Sequence, residues 1–169
     1  KVNHKITCYA YNVQVKRVGR FDVQKANALN IPKKLWSILQ KQQSVEFEGK
    51  TYTSVMVLGS PRKGIKVSYC TDTRPTKELP AFVENSDLFI CEGMYGEKDK
   101  IQKAKEYKHM MFTEAAEIAK KANVNEMWLT HFSPAMPFPE EFLPSAKEIF
   151  ENTHIGKDRK NVTLLFEED

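Results

Sequence analysis

The stretch Ile65-Lys66-Val67-Ser68-Tyr69-Cys70, followed at once by Thr71-Asp72-Thr73-Arg74-Pro75, decides how this chain is read. Its first half is an apolar run of strand length, and its second half breaks the run with Thr, Asp and Pro. A carboxylate therefore stands at the carboxyl end of a strand. Two later stretches repeat the arrangement: Leu88-Phe89-Ile90-Cys91 runs into Glu92-Gly93, and Met127-Trp128-Leu129-Thr130 runs into His131. Between them the pattern predicts helices over 76–84, with Pro80 early, and over 113–122, where alanines fall on one face and Asn123 is the stop. A charged stretch over 97–108 leads to His109, and a helix over 140–150 and a last strand over 162–166 close the chain. Strands alternating with short helices imply an α/β sheet whose strands run largely parallel.

Upstream of residue 64 the organisation differs. Residues 6–13 read as a strand. Asp22 is placed to N-cap a short helix through Leu29, ended by Asn30 and Pro32. A second short helix is expected over 34–40, then a hairpin from 45–47 through Glu48-Gly49 to 52–58, and Ser60-Pro61-Arg62-Lys63-Gly64 reads as a loop. Residues 16–63 also hold the chain's basic excess: ten Lys and Arg against three Asp and Glu, a net +7, while the remainder is −3. A local positive field of this kind suits a polyanion, because phosphate contacts supply most sequence-independent affinity. A solvated lysine-rich surface is the plainer alternative.

With 169 residues and 41% hydrophobic positions the chain has the composition of a soluble globular protein. No apolar run approaches the roughly 18 residues of a membrane span. Three cysteines without a Cys-x-x-Cys argue against a disulfide frame or a thiolate zinc knuckle, and point to a reducing, cytoplasmic setting. The opening Lys1-Val2-Asn3-His4-Lys5 shows no secretory signal. It does not begin with Met and reads as the middle of something, a His and then an alternating strand, so the chain is expected to be incomplete at its N-terminus. Gly-x-Gly-x-x-Gly, P-loop and Gly-x-Ser-x-Gly patterns are absent.

Asp72, Glu92 and His131 each follow a strand, and ligands of open α/β sheets collect at the carboxyl ends of strands. His109, just before a helix, can reach the same edge. These are ligand types for hard or borderline divalent metals. Each has a structural alternative: Asp72 as a helix cap, Glu92 as a turn cap, His131 as a hydrogen-bonded core histidine.

Taken in order, these segments resemble the ribonuclease Z family of the metallo-β-lactamase superfamily, over essentially the whole chain as that enzyme's C-terminal part. Val2-Asn3-His4 with Tyr11 resembles a metal-His segment. Gly19-Arg20-Phe21-Asp22 through Leu29-Asn30-Ile31-Pro32 resembles the start of a protruding tRNA-gripping arm. Val67 through Pro75 resembles the strand with the bridging Asp, and Leu88 to Tyr95 the His-Glu-Ala-Thr-Phe segment. Lys108-His109 with Thr113-Glu114-Ala115-Ala116 resembles the His-Ser-Thr loop, and Leu129-Thr130-His131-Phe132-Ser133-Pro134 the final metal-His motif.

The resemblance implies an αββα sandwich, here its C-terminal portion (residues 1–169), with a basic arm inserted at residues 16–63. It implies zinc as cofactor, two ions per complete site, with His4, Asp72 and His131 as metal ligands, Asp72 bridging. It implies His109 as the residue assisting the leaving group, oriented by Glu92. Lys16, Arg17, Arg20, Lys33, Lys34 and Lys41 become the expected tRNA contacts. The expected activity is removal of the 3′ trailer from precursor tRNA by a cytoplasmic homodimer with no membrane partner. Departures stand beside the matches. The family's His-x-His-x-Asp-His motif lies outside this sequence, Cys91 stands where the family has His, Met110-Met111 replace Ser-Thr, Pro32-Lys33-Lys34 lacks a Gly-Pro pair, and Ala135 replaces Arg. They motivate a second expectation, a catalytically incomplete tRNA-binding module. A third, a hydrolase of a small phosphodiester or ester, has no use for the basic arm.

Overall fold

The computed structural model describes residues 1–167 and divides them into two compact units. One comprises Lys1–Val15 and Ile65–Leu165; the other comprises Lys16–Gly64 with Phe166 and Glu167. In chain order the elements are β1 (Tyr11–Arg17), α1 (Val23–Ala28), α2 (Trp36–Leu39), β2 (Ser44–Phe47), β3 (Lys50–Thr53), β4 (Arg62–Cys70) and α3 (Leu79–Val83). They continue with β5 (Leu88–Glu92), α4 (Ile101–Tyr107), α5 (Phe112–Lys121), β6 (Met127–Thr130), α6 (Leu143–Lys147) and β7 (Thr153–Ile155). No helix among the described residues is long and apolar enough to cross a membrane.

The first unit is built on a five-stranded sheet in the order β1-β4-β5-β6-β7, with β4 to β7 mutually parallel. Register aligns Cys70 with Cys91, Cys91 with Leu129, and Leu129 with Ile155, so these four side chains share one face. That face is the core. It packs with Phe89 and Met127 against Leu79 and Val83 of α3, Phe112, Ala115, Ala116 and Ala119 of α5, and Ala146 of α6. The small alanine face lets α5 lie close to the sheet, and each large side chain buried there contributes about 1.5–3 kcal/mol. On β1 the side chains alternate between faces. Ser68 Oγ donates to Asn12 Oδ1 at 2.5 Å, which places Asn12 on the helix-covered face. Tyr11, Val13 and Val15, on the opposite parity, are 59%, 65% and 50% exposed, and Tyr69 of β4 is 44% exposed. The sheet thus carries helices on one face and an uncovered apolar strip on the other, the arrangement of one half of the expected sandwich.

The second unit has its own small core of Ala26, Ile31, Leu35, Leu39 and Val57. Asp22 N-caps α1, its Oδ1 accepting from the Lys25 amide at 2.9 Å, as its position before the helix predicts. Where this segment begins, two backbone stretches pass closely: a Cβ on Gly19 would stand 2.1 Å from the Gly59 carbonyl oxygen, so only glycine fits. The β2–β3 turn places Glu48 and Gly49 at φ 50° and 72°, the paired left-handed geometry that matches hairpin twist.

Several expected elements differ. The strand expected over 6–13 begins only at Tyr11, because the preceding residues curl into a loop closed by the Val2 amide on the Cys8 carbonyl at 3.0 Å. The hairpin's second strand ends at Thr53, and residues 54–56 form a 3₁₀ turn. The loop expected at 60–64 gives way at Arg62, where β4 starts. Helix α3 is shorter than 76–84, since Pro80 sits in its first turn and marks its start. The helix expected over 140–150 splits into a 3₁₀ turn at Pro139–Phe142 and α6, with Pro144 in the first turn of the latter. The charged stretch at 97–108 contains α4, which ends on Lys108 at φ 61°. The last strand is β7, not 162–166. Residues 162–167 pair with no strand, and Val162, Leu165 and Phe166 remain 43%, 79% and 41% exposed.

Candidate active site

Because β4, β5 and β6 are parallel and in register, their carboxyl ends emerge side by side, and Asp72, Glu92 and His131 come with them. Asp72 and His131 both occupy the left-handed region, at φ 54° and 57°. Asp and His enter this region more readily than most side chains, and Glu48 and Lys108 share it at a hairpin turn and a helix end, so here it marks tight turns out of the strands. The His131 loop is stitched to the loop after β5, with the Gly93 amide on the Thr130 carbonyl at 2.8 Å and the Ser133 amide on the Met94 carbonyl at 3.0 Å. His131 Nε2 stands 3.3 Å from Asp72 Oδ1.

Glu92 is fully buried and is the hub of the site. Its Oε1 accepts from the Thr73 amide, and its Oε2 accepts from the Met110 amide at 3.0 Å and from His109 Nδ1 at 3.1 Å. Both oxygens are therefore committed to donors. His109 Nδ1 being the donor, Nε2 is left as the second ring nitrogen, and no hydrogen bond among the described residues engages it. The His109 ring lies 4.9 Å from the His4 ring and 5.4 Å from the His131 ring, centroid to centroid.

His4 reaches the site through backbone pairing of its neighbour. The Asn3 amide donates to Thr73 Oγ1 at 3.0 Å, and the Arg74 amide to the Asn3 carbonyl at 3.0 Å. His4 Nδ1 then donates to the Lys108 carbonyl at 3.1 Å, which leaves Nε2 with a free lone pair. An outer hydrogen bond of this kind is what orients a metal-binding imidazole.

Two clusters have ligand atoms mutually within 4.8 Å: His4 with Asp72 and His109, and Glu92 with His109 and His131. Glu92 and His109 Nδ1 are already tied to one another, so besides His109 Nε2 the groups open to a metal are the His4 and His131 imidazoles and the Asp72 carboxylate. Two nitrogens and a shared oxygen suit zinc or a similar borderline cation. His4 and His131 belong to no common cluster, while Asp72 neighbours both.

The three cysteines near the site are all held toward the neutral thiol. Burial pushes Cys70 up to about 12, with Glu92 and Asp72 adding to the effect, and burial pushes Cys91 well above the usual thiol range. Cys8 is raised as well, by burial and then by Asp72 and Glu92.

Two residues with no assigned role in the sequence belong to this region, Arg74 and Glu114. Arg74 Nη1 donates to Glu114 Oε2 at 2.7 Å and to the His109 carbonyl at 2.6 Å, and Nη2 donates to Glu114 Oε1. Glu114 also accepts from the Met111 amide at 2.9 Å, capping α5. Neither role was readable: Met111 has no side-chain oxygen to complete a capping signature with Glu114, and the pairing with Arg74 lies forty positions away.

The expected tRNA contacts Lys16, Arg17, Arg20, Lys33, Lys34 and Lys41 all lie in the second unit, apart in the chain from the histidine and carboxylate set. Lys16, Arg20, Lys33, Lys34 and Lys41 are exposed. Lys34 Nζ sits 3.7 Å above the Phe47 ring, and the Arg17 guanidinium 4.9 Å from the Phe166 ring centroid.

Residues 12–132 match the sequence profile described as the beta-lactamase superfamily domain. The chain belongs to this superfamily. Its mixed α/β fold with a central sheet agrees with that membership. Among curated relatives, it is 56% identical over 169 residues to a protein of Agathobacter rectalis named ribonuclease Z, covering the whole chain and 56% of that protein. It is 57% identical over 166 residues to a ribonuclease Z of Clostridium acetobutylicum, covering 98% of the chain and 54% of that protein. The chain thus spans about half the length of the curated relatives it matches. Among solved structures, a long-form RNase Z from yeast is 38% identical over 44% of this chain and 10% of that chain, with a TM-score of 0.41.

Proposed function

We propose that this chain supplies part of a zinc-dependent endoribonuclease that removes the 3′ trailer of precursor tRNA by hydrolysing one phosphodiester bond. The observation that carries the reading is the hydrogen bond from His109 Nδ1 to the buried Glu92 carboxylate, beside the Asp72 carboxylate and the His131 imidazole, which meet 3.3 Å apart from the ends of the two strands flanking β5. The names of the superfamily relatives support the RNA substrate.

In this reading His4 and His131 would each hold one of two zinc ions, and Asp72 would be the ligand common to both. Zinc, when bound, supplies Lewis acidity toward the scissile phosphate and toward the attacking water. The chain's own residues do the rest. Glu92 fixes the tautomer and direction of the His109 ring. Protonated His109 delivers its Nε2 proton to the departing oxygen as the bond from phosphorus to that oxygen breaks and the water oxygen takes its place, one proton of that water passing to solvent. The fully buried position of Glu92 keeps water from competing for Nδ1. The segment 16–63 acts as an inserted arm on which Lys16, Arg17, Arg20, Lys33, Lys34 and Lys41 meet tRNA phosphates. A homodimer in the cytoplasm completes the proposal, by resemblance to the family.

The test uses the protein at its native length and a 5′-labelled precursor tRNA. Wild type is expected to release a product of mature tRNA length, and Asp72→Ala and His131→Ala to lose cleavage while keeping the wild-type circular dichroism. Retained cleavage in either variant overturns the site assignment.

A further inference from the structure

The residues from His109 to Met111 form a loop in which every backbone polar group is engaged. The His109 amide donates to Ala104, the Met110 amide to Glu92 and the Met111 amide to Glu114. The Met110 carbonyl accepts from the Tyr95 amide at 3.3 Å and the Met111 carbonyl from the Ala115 amide at 3.1 Å. The remaining group, the His109 carbonyl, accepts from Arg74. One guanidinium thus holds the carbonyl of the very residue whose ring faces the strand-end carboxylates, and through Glu114 it also holds the loop's far end. The side chains of Arg74 and Glu114 are only 15% and 20% exposed. An exposed ion pair contributes little to stability, but a desolvated, two-pronged pair fixes geometry.

We infer that Arg74 and Glu114 form a clamp that positions His109 for proton delivery. The clamp rests on the role proposed above for His109. Both are positioning residues. Glu92 sets the rotation of the ring through Nδ1, while the clamp sets where the backbone carrying that ring stands. The two constraints converge from one tripeptide: Asp72 faces His131, the Thr73 amide binds Glu92, and the Arg74 side chain binds the His109 loop. Movement of Asp72 is therefore coupled to movement of the His109 loop, which keeps the bridging carboxylate and the proton donor in register.

The experiment measures steady-state cleavage and amide hydrogen exchange in the native-length protein carrying Arg74→Ala, Arg74→Lys or Glu114→Gln. Glu114→Gln keeps an acceptor for the Met111 amide but removes the charge paired with Arg74, so it separates helix capping from the clamp. The clamp predicts that Arg74→Ala and Glu114→Gln lower kcat by about 10–100-fold, the usual cost of losing an outer-shell partner, with KM within about twofold. Arg74→Lys, which keeps one donor and the charge, recovers part of the loss. It also predicts that the Met110 and Met111 amides exchange at least about tenfold faster in Arg74→Ala. A kcat within about twofold of wild type in both Arg74→Ala and Glu114→Gln, or a raised KM at unchanged kcat, overturns the clamp. Should wild type fail to cleave precursor tRNA, the proposed function falls and proton delivery by His109 with it; where wild type does cleave, unchanged exchange in Arg74→Ala overturns the clamp by itself.

Discussion

Replacing Glu92 by Gln perturbs the site at its most connected point. Three donors converge on this fully buried carboxylate, one on Oε1 and two on Oε2. Gln offers one carbonyl oxygen and one NH₂ group. With the NH₂ at the Oε1 position, the Thr73 amide loses its acceptor and faces another donor; in the flipped orientation the His109 and Met110 donors are stranded instead. A buried donor without an acceptor costs about 1–3 kcal/mol, and here the stranded protein donor and the Gln amide hydrogens add, for a total of about 3 kcal/mol. For a chain of this size the corresponding fall in Tm is about 6–12 °C. Thermal unfolding followed by far-ultraviolet circular dichroism measures it, with the exposed Glu106→Gln as a control expected within about 0.5 kcal/mol of wild type. A Glu92→Gln protein melting within about 2 °C of wild type would refute the reasoning, because a carboxylate that truly satisfies three buried donors cannot lose one without that cost.

Further expectations concern the arm and the buried thiols. Changing Lys16, Arg20, Lys33 and Lys41 to Ala should weaken tRNA binding and reduce the salt slope by about one for each phosphate no longer neutralised; a filter-binding series with an unchanged slope counts against the arm. Cys70 titrates near 12 in the fold against 9.0 unperturbed, so its stabilising contribution is fully present below pH 9 and is lost as pH rises toward 12, about 4 kcal/mol in all. Cys70→Ala should therefore lose about 2 kcal/mol less than wild type between pH 9 and 10.5 in urea melts, and parallel curves would contradict the assigned burial effect. His4→Ala removes an imidazole oriented by the Lys108 carbonyl, and zinc titration should lose one of the two binding events of wild type; an unchanged titration would remove His4 from the ligand set.

How far the fold could be read follows from where the signals sit. Three apolar runs ending in Asp72, Glu92 and His131 carried enough hydrophobic contrast to place β4, β5 and β6, and parallel register then brings their ends together. Strand β7 is only Thr153-His154-Ile155 and has no such contrast, whereas Val162, Leu165 and Phe166 look like a strand and find no partner. Helix α4 was hidden because its one buried side chain is Ala104 among Lys and Glu. At the site, residue types were legible and conformations were not. Nothing in the letters foretells the left-handed backbone of Asp72 and His131, nor a guanidinium that reaches across from Arg74 to the His109 loop. Those depend on contacts between segments about forty residues apart, which only the folded chain brings together.

The central claim is that Asp72 is shared by two metal ions, one held by His4 and the other by His131. Counting zinc per protomer by plasma mass spectrometry, in the native-length protein and in its His4→Ala, His131→Ala and Asp72→Ala variants, tests it most directly. The account predicts two ions in wild type, one in each histidine variant, and fewer than one with no tRNA cleavage in Asp72→Ala. An Asp72→Ala protein that keeps both ions and still cleaves precursor tRNA would contradict it.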